Sequence, residues 1–330
     1  MRNRHQSLLA AALTVAVLIA CSSSPEAWAA ATDDQVFRTL PPHTEAVIGV
    51  DFATLRTSFL YERFKDQMGI KESDLDEVSM ETGFDPRRDL DSVAVAMWGE
   101  PSAEAAVILA RGRFEFNDEL MSELKVLGQH RGVTIYQGPD WNHGAGPEGA
   151  ALAFPESGTA ILGPHSEVVN AIERRMTGGP SLMDNVVLTA RAREAEGEGQ
   201  LWMVSSAPGA LTRAVPGGLD ERQVRIVQIL GSMHETIAAL DLMHGFRLSF
   251  AGRADTVEDA GMLAEAARAM VALARISLPA EERDLMQLLD QVHIGDSGER
   301  FEASVDLDRL QVEQLLEKMD SRGGNAEAAE

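Results

Sequence analysis

Residues 91–98, DSVAVAMW, and residues 105–113, AAVILARGR, decide the fold. Both runs are short, apolar and partly β-branched, which is typical of strands. Gly99 and Pro101 lie between them and favour a tight turn. Because this connection is too short for a helical crossover, the two strands are predicted to pair as an antiparallel hairpin. A hairpin of this kind indicates an α+β protein rather than a doubly wound parallel sheet.

The same pattern recurs along the chain. Further hairpins are predicted at residues 150–154 with 159–163, 235–242 with 246–253, and 291–294 with 299–307. Single strands are predicted at residues 45–51, 133–137 and 200–205. Apolar periodicity predicts helices at residues 55–68, 74–83, 117–128, 165–177, 207–231, 256–276, 281–289 and 308–319. Asn117 is a predicted N-cap, and Asp255 with Glu258 forms a predicted capping box.

The order of these elements predicts two tandem repeats. Residues 39–180 and residues 181–319 each follow the order strand, helix, hairpin, helix, hairpin, helix. We therefore expect antiparallel sheets covered by helices in both repeats, with residues 320–330 as a disordered tail. A coincidence of order stays open as the alternative, since α+β chains often alternate in this way.

The N-terminal segment is predicted to be an export signal. It reads MRNRHQSLLAAALTVAVLIAC, in which two arginines precede a short apolar run. This run is too short to span a bilayer and has the length of a signal-peptide core. Its end, from Leu18 to Cys21, resembles the lipobox of bacterial lipoproteins. The resemblance implies a signal peptide at residues 1–20, a lipid on Cys21 and a tether over residues 21–38.

The lipobox also implies a location. Ser22 follows the cysteine, and by analogy with Gram-negative lipoproteins it indicates the outer membrane, with the protein facing the periplasm. Two alternatives stay open. Cleavage after Ala29, at an A-x-A site, would remove Cys21 and leave a secreted or soluble periplasmic protein. A retained apolar helix on a cytoplasmic protein is the other.

Cys21 is the only cysteine, so the fold has no internal disulfide and depends on its core. Beyond residue 21 the chain resembles secreted bacterial proteins without an assigned function. Only Cys21 takes a role from a resemblance.

Composition narrows the range of partners. The chain has 29 basic and 52 acidic residues, a formal net charge of −23. Such a charge repels phosphates, and no basic stripe is present, so no nucleic acid partner is expected. It also disfavours anionic membrane surfaces, so membrane association should come from the N-terminal lipid. Acidity favours solubility, a basic partner or loosely held cations.

No catalytic or metal-binding motif is complete. His234 and Glu235 begin an HExxH pattern, but its second histidine position is Ala238. The acidic stretch from Asp74 fails the calcium-loop spacing, and Asp85 and Asp89 are predicted turn residues. Ser205 and Ser206 end a predicted strand without a matching histidine or acid. We predict no catalytic residues, no metal site and no cofactor.

A glycine-flanked loop at residues 138–149 is the one unusual local feature. It places Asp140, Trp141, Asn142 and His143 side by side between strands. A tryptophan in a polar loop suits contact with a ligand or partner, because its ring brings large apolar area with few rotors. The alternative is a hairpin loop whose tryptophan packs on the body.

Three functions follow from these observations. The first is a lipid-anchored cell-envelope protein that binds another envelope protein or acts as a scaffold, and is not an enzyme. The second is a carrier or sensor for a small ligand with a site between the two halves, since domain interfaces often form pockets. The third is a hydrolase with an unfamiliar site that unites Asp140 or His143 with a serine.

Overall fold

The computed structural model describes residues 33–61, 72–99, 105–137, 149–207, 233–277 and 288–317. The predicted signal peptide, most of the predicted tether and the tail at residues 320–330 lie outside these ranges. The described chain divides into two compact units, with the division after Ser206. No helix in the described ranges is both long enough and apolar enough to cross a membrane.

The first unit is built on an antiparallel sheet. Its described strands are β1 (Ala46–Asp51), β2 (Leu90–Trp98), β3 (Ala105–Gly112), β4 (Lys125–His130), β5 (Val133–Gln137), β6 (Ala150–Glu156), β7 (Thr159–Pro164) and β8 (Leu201–Ser205). Their spatial order is β8-β1-β2-β3-β7-β6-β5-β4, and every neighbouring pair is antiparallel. The predicted hairpins β2–β3 and β6–β7 are confirmed, so the chain is α+β.

Helices accompany this sheet. They are α1 (Asp34–Thr39), α2 (Phe52–Leu55), α3 (Glu72–Thr82), α4 (Pro86–Asp89), α5 (Asp118–Glu123), α6 (His165–Thr177) and α7 (Val186–Glu198). Helix α6 buries Val168, Ala171 and Ile172 and packs on β6 and β7. Glu173 of α6 accepts hydrogen bonds from Arg131 and is bonded to His130, both at the β4–β5 turn. These bonds, chiefly from Arg131, lower the pKa of Glu173 to about 2.

Three sequence expectations for the first unit need correction. Helix α5 begins after its predicted N-cap, Asn117, but ends at Glu123 rather than near Gly128, because the following residues pair with β5 as strand β4. The predicted tether to residue 38 is too long, because α1 begins at Asp34 and buries Val36 and Phe37. The predicted boundary at residue 180 also fails, because β8 pairs with β1 and α7 packs on β8.

The second unit carries a smaller antiparallel sheet. Its described elements are β9 (His234–Asp241), β10 (Gly245–Arg253), α8 (Val257–Ser277), β11 (Val292–Ser297), β12 (Arg300–Asp308) and a helical segment at residues 309–317. The strand order is β11-β12-β10-β9, so both predicted hairpins are confirmed. Helix α8 closes the core by packing Ala264 against Met233 and Phe301.

The start of α8 differs from the predicted capping box by one residue. The hydroxyl of Thr256 accepts from the amide of Asp259 at 3.1 Å and donates to the Asp259 carboxylate at 2.6 Å. Asp255, the predicted N-cap, is bonded to His234 at 2.7 Å instead. The hydroxyl of Thr256 therefore caps the first turn of α8.

Trp202 is a core residue, and its packed position depends on a glycine. Gly49 of β1 pairs with Trp202 of β8, whose side chain is 3% exposed. A Cβ at Gly49 would lie 2.0 Å from Trp202 Cζ2, which is far inside van der Waals contact. The absent side chain at residue 49 is therefore a packing requirement rather than a conformational one.

We expect Gly49→Ala to lower the free energy of unfolding by about 1–3 kcal/mol, because the tryptophan ring must move out of its packed position. Urea denaturation followed by tryptophan fluorescence measures the change. Gly197→Ala is the matched control, since a Cβ there meets nothing within 4 Å and alanine favours the helix. Equal midpoints for Gly49→Ala and Gly197→Ala would contradict the packing argument.

Candidate functional site

The residues singled out from sequence fall into two groups. Cys21 and the loop residues Asp140, Trp141, Asn142 and His143 lie outside the described residues. Ser205, considered as a nucleophile, is 3% exposed within β8. Ser206 donates its hydroxyl to the Glu45 carbonyl at 3.2 Å. Ser205 is thus buried at the end of β8, and Ser206 has a backbone partner.

The acidic residues after residue 74 are engaged in ion pairs and caps. Asp85 accepts from the Arg87 amide at 3.0 Å as the N-cap of α4, which confirms its predicted turn role. Asp76 lies 2.7 Å from the Arg87 guanidinium. Within the described parts of the chain, no group of three histidine, cysteine or acidic side chains is arranged to hold a metal ion.

A cavity of about 350 Å³ opens at one end of the first sheet, where β3 ends and β6 turns into β7. It is lined by two segments, residues 112–115 and residues 154–158, without Pro155. Gly112 donates its amide to the Gly158 carbonyl at 3.1 Å, which holds the two segments together. A Cβ at Gly112 would lie 2.0 Å from the Asp89 carbonyl oxygen, so glycine is required where β3 approaches α4.

The cavity has an aromatic floor. Phe114 and Phe154 line it, with their ring centroids 5.8 Å apart. Phe84 stacks on Phe114 at 5.6 Å, and Phe116 lies 5.6 Å from Phe154. Phe84 is buried, whereas Phe114, Phe116 and Phe154 are half-buried. Aromatic rings left partly open to solvent in this way offer apolar area to a ligand or side chain that enters.

Charged groups form the rim. Glu156 is bound by the Arg175 guanidinium and by the Thr159 hydroxyl, the latter at 3.2 Å. The side chain of Arg175 is 3% exposed, so it fixes Glu156 from inside the protein. Glu115 and Arg113 are exposed at the opposite segment. The cavity therefore combines an apolar floor with carboxylates and one guanidinium at its mouth.

An ion-pair network supports the Arg113 side of the rim. Asp89 is 6% exposed, and its carboxylate lies 3.0 Å from Arg88 and 3.1 Å from Arg113. Burial alone would raise the pKa of Asp89, but hydrogen bonds from Arg88 and from the Asp85 amide outweigh it, so the pKa is lowered. The network continues inward, because the Arg88 carbonyl accepts from both Arg113 and Arg56.

Arg56 and Asp91 form the buried end of this network. Their side chains are 3% and 13% exposed, and the charged atoms are 3.6 Å apart. Burial lowers the pKa of Arg56 and raises the pKa of Asp91, and each partner partly offsets the effect on the other. A pair desolvated to this degree holds its surroundings in one arrangement, because separating the charges would leave each unpaired in the interior.

Sequence analysis did not find this site. Its aromatic residues come from three separate segments, around residues 84, 114–116 and 154, and only the sheet brings them together. One local pattern pointed to it. The alternation of Phe114 and Phe116 continues the period of two beyond the strand that ends at Gly112, so both rings face one side.

Comparisons with known proteins do not identify a family for this chain. No protein-family model and no curated protein matches the chain. Two solved structures, crystal forms I and IV of TP0453, are similar to it at 10% sequence identity, with TM-scores of 0.43 and 0.44. Each similarity covers 83% of this chain and 94% of the other. Similarity this low carries no argument about function.

We expect Asp89→Asn to lower the free energy of unfolding by about 1–3 kcal/mol, because a buried acceptor of charged hydrogen bonds is lost. The pKa of Asp89 is lower in the folded than in the unfolded protein. The ionised carboxylate therefore contributes its full stabilisation at pH values above the unfolded pKa, and this stabilisation is lost as the pH falls through the folded pKa. Urea denaturation of both proteins at several pH values measures this, and the gap should close in acid. Asp76→Asn, at an exposed ion pair, is the control and should change little. A gap that is independent of pH would contradict the assignment.

Proposed function

We propose that the protein is a lipid-anchored module of the bacterial cell envelope that binds another protein, and that the cavity of the first unit receives a side chain of that partner. The single observation that carries the proposal is the open aromatic floor formed by Phe114 and Phe154. Protein interfaces concentrate their binding energy where one anchor side chain fills such a pocket. The lipobox ending at Cys21 supports the anchor.

Charge favours a basic partner. The net charge of −23 produces a negative field around the protein, which speeds association with basic surfaces. At the cavity, Glu115 and Glu156 contribute carboxylates to the rim, and the exposed Arg113 is paired with Asp89. An arginine or lysine side chain could lay its apolar stem on the phenylalanine rings and place its charge beside these carboxylates.

A small ligand is the second candidate, favoured by the cavity volume. About 350 Å³ lies within the range of small-molecule sites, roughly 300–1,000 Å³. A carrier or sensor would use the same floor for an apolar ligand. All lining residues of this cavity belong to the first unit, in contrast to a site between the halves.

We also infer that the two units are a duplication, on the basis of their matching strand orders. Each contains a hairpin whose second strand pairs with the second strand of a later hairpin: β2-β3-β7-β6 in the first unit and β9-β10-β12-β11 in the second. The Gly112 amide bonds the Gly158 carbonyl, and the Ala254 amide bonds the Glu299 carbonyl in the corresponding place.

The anchor is tested by the mass of the mature N-terminus purified from cells. We expect a diacylated or triacylated peptide that begins at Cys21, because the lipobox directs both the acylation and the cleavage. Cys21→Ser should prevent acylation and release the protein from the membrane fraction. A mature chain that begins at Ala30 without lipid would replace the anchor with simple secretion.

The binding site is tested by photo-crosslinking in cells. A photoreactive amino acid at Ser157, on the cavity rim, should capture one envelope protein in stoichiometric amount. The same amino acid at Val187, exposed on α7, should capture none. Phe154→Ala should abolish the crosslink from Ser157 by removing the floor.

A second variant separates binding from folding. Glu115 is exposed, so Glu115→Lys should leave the thermal unfolding temperature unchanged and reduce capture of a basic partner at least severalfold. Native mass spectrometry of the purified protein distinguishes the second candidate. A bound small molecule that is lost in Phe154→Ala, with no captured protein, would favour the carrier. If no protein is captured and no small molecule is bound, both functions are contradicted.

A further inference from the structure

The last residue of α1 contacts two adjacent arginines of α6. Arg174 donates Nε to the Thr39 carbonyl oxygen at 2.9 Å, and Arg175 donates Nη1 to the Thr39 hydroxyl at 3.1 Å. Thr39 is fully buried, and the side chain of Arg175 is 3% exposed. The fold therefore brings a buried hydroxyl from the start of the described chain to a buried guanidinium of α6.

The same guanidinium reaches the rim of the cavity. Arg175 donates Nη2 to the carboxylate of Glu156, which lines the cavity. The side chain of Glu156 is 48% exposed. The series Thr39–Arg175–Glu156, which we call the rim link, thus runs from a buried hydroxyl to a carboxylate that a partner can reach.

The guanidinium transmits position along the rim link because it is planar and rigid. The angle between its two Nη groups is fixed, so the point at which Thr39 holds Nη1 determines where Nη2 meets Glu156. Arg175 and the Thr159 hydroxyl both donate to Oε1 of Glu156. Within the described residues no donor reaches Oε2, so this oxygen is available to a basic side chain from outside.

The Thr39 hydroxyl is oriented to accept from Arg175. It donates its proton to the Gln35 carbonyl at 2.8 Å, one turn earlier in α1, so its lone pairs remain for the guanidinium. The Nε of Arg175 is buried and has no hydrogen-bond partner in the described part of the chain. Loss of the hydroxyl would leave a second buried donor of Arg175 unsatisfied, which favours a different position of the whole group.

We propose that Thr39 is a positioning residue of the cavity, which acts through Arg175 to hold the Glu156 carboxylate where a basic side chain of the partner binds. The consequence for binding rests on the proposed function, whereas the rim link exists without a partner. The buried side chains of Val36 and Phe37 hold α1 in place. We therefore expect α1 to stay docked after a change that is confined to the Thr39 hydroxyl.

Nitrogen NMR of the arginine side chains tests the rim link without a partner. The probe is the chain from residue 21 with Cys21→Ser, so that it carries no lipid, and the Arg175 signal is the one absent from Arg175→Lys. Hydrogen bonds to both Nη groups slow their rotation about the bonds to Cζ. Thr39→Val removes the hydroxyl and should raise the rotation rate about tenfold, the effect of one lost hydrogen bond to a charged group. Thr39→Ser keeps the hydroxyl and should keep the rotation slow.

Thr189→Val is the matched control. Thr189 is 4% exposed and donates its hydroxyl to the Asn185 carbonyl at 3.0 Å, also four residues earlier in a helix. Both valine substitutions remove this type of helical bond, and only Thr39→Val removes a contact with Arg175. Thr189→Val should lower the thermal unfolding temperature to a similar extent and leave the Arg175 signal unchanged. Equal Arg175 rotation in Thr39→Val and the wild type would overturn the rim link.

Capture by the photoreactive amino acid at Ser157 tests the positioning role. Thr39→Val should lower the yield of the crosslink at least severalfold, and Thr39→Ser should restore it. Arg175→Lys keeps the charge but lacks the planar fork, so it should lower the yield as well. Because both residues act through one link, the double variant should capture no less than Arg175→Lys alone. Additive losses would overturn the proposal.

The positioning role and the proposed function can fail separately. If the wild type and Thr39→Val capture the partner equally, the positioning role is overturned and the proposed function stands. If Thr39→Val speeds the rotation of Arg175 but the wild type captures no partner, the rim link is confirmed and the proposed function is contradicted.

Discussion

Strand β1 is hydrogen-bonded on both sides, and the first unit depends on that double pairing. Its partners β2 and β8 both follow it in the chain, and Val50 of β1 pairs with Leu201, about 150 residues later. Closing so long a loop costs entropy. The buried ring of Trp202 over Gly49 helps to offset it. The position of this pair explains why residues up to Ser206 belong to the first unit rather than to the second.

The cavity is a consequence of the same sheet. Because β3 pairs with β7, the end of β3 and the β6–β7 turn meet at one place, and the phenylalanines that follow and precede them converge. Buried charges then fix the walls, with Asp89 on one side and Arg175 on the other. Ion pairs of this kind preorganise the walls of the cavity, which would reduce the entropy lost if a partner bound there.

Local signals predicted the local structure well. Turn residues located the hairpins, and periodicity located α6 and α8. Asn117 acts as the expected N-cap, and Asp85, predicted as a turn residue, caps α4. Features that depend on distant partners were not predictable. Strand β8 belongs to the first unit because it pairs with β1. Helix α5 ends where β4 begins to pair with β5. The aromatic floor is formed by three segments that are far apart in sequence. The cap of α8 is Thr256 rather than the predicted Asp255, which is bonded to His234.

If Cys21 carries a lipid, the early start of α1 limits the distance between the folded body and the membrane. Asp33 already belongs to the folded body, since it caps α1 and pairs with Arg111. With a lipid on Cys21, only residues 22–32 would connect the lipid to the folded body. At ~3.6 Å per residue, eleven residues reach at most about 40 Å. The folded body would stay within this distance of the bilayer, so a partner would have to be located in, or brought to, the same layer.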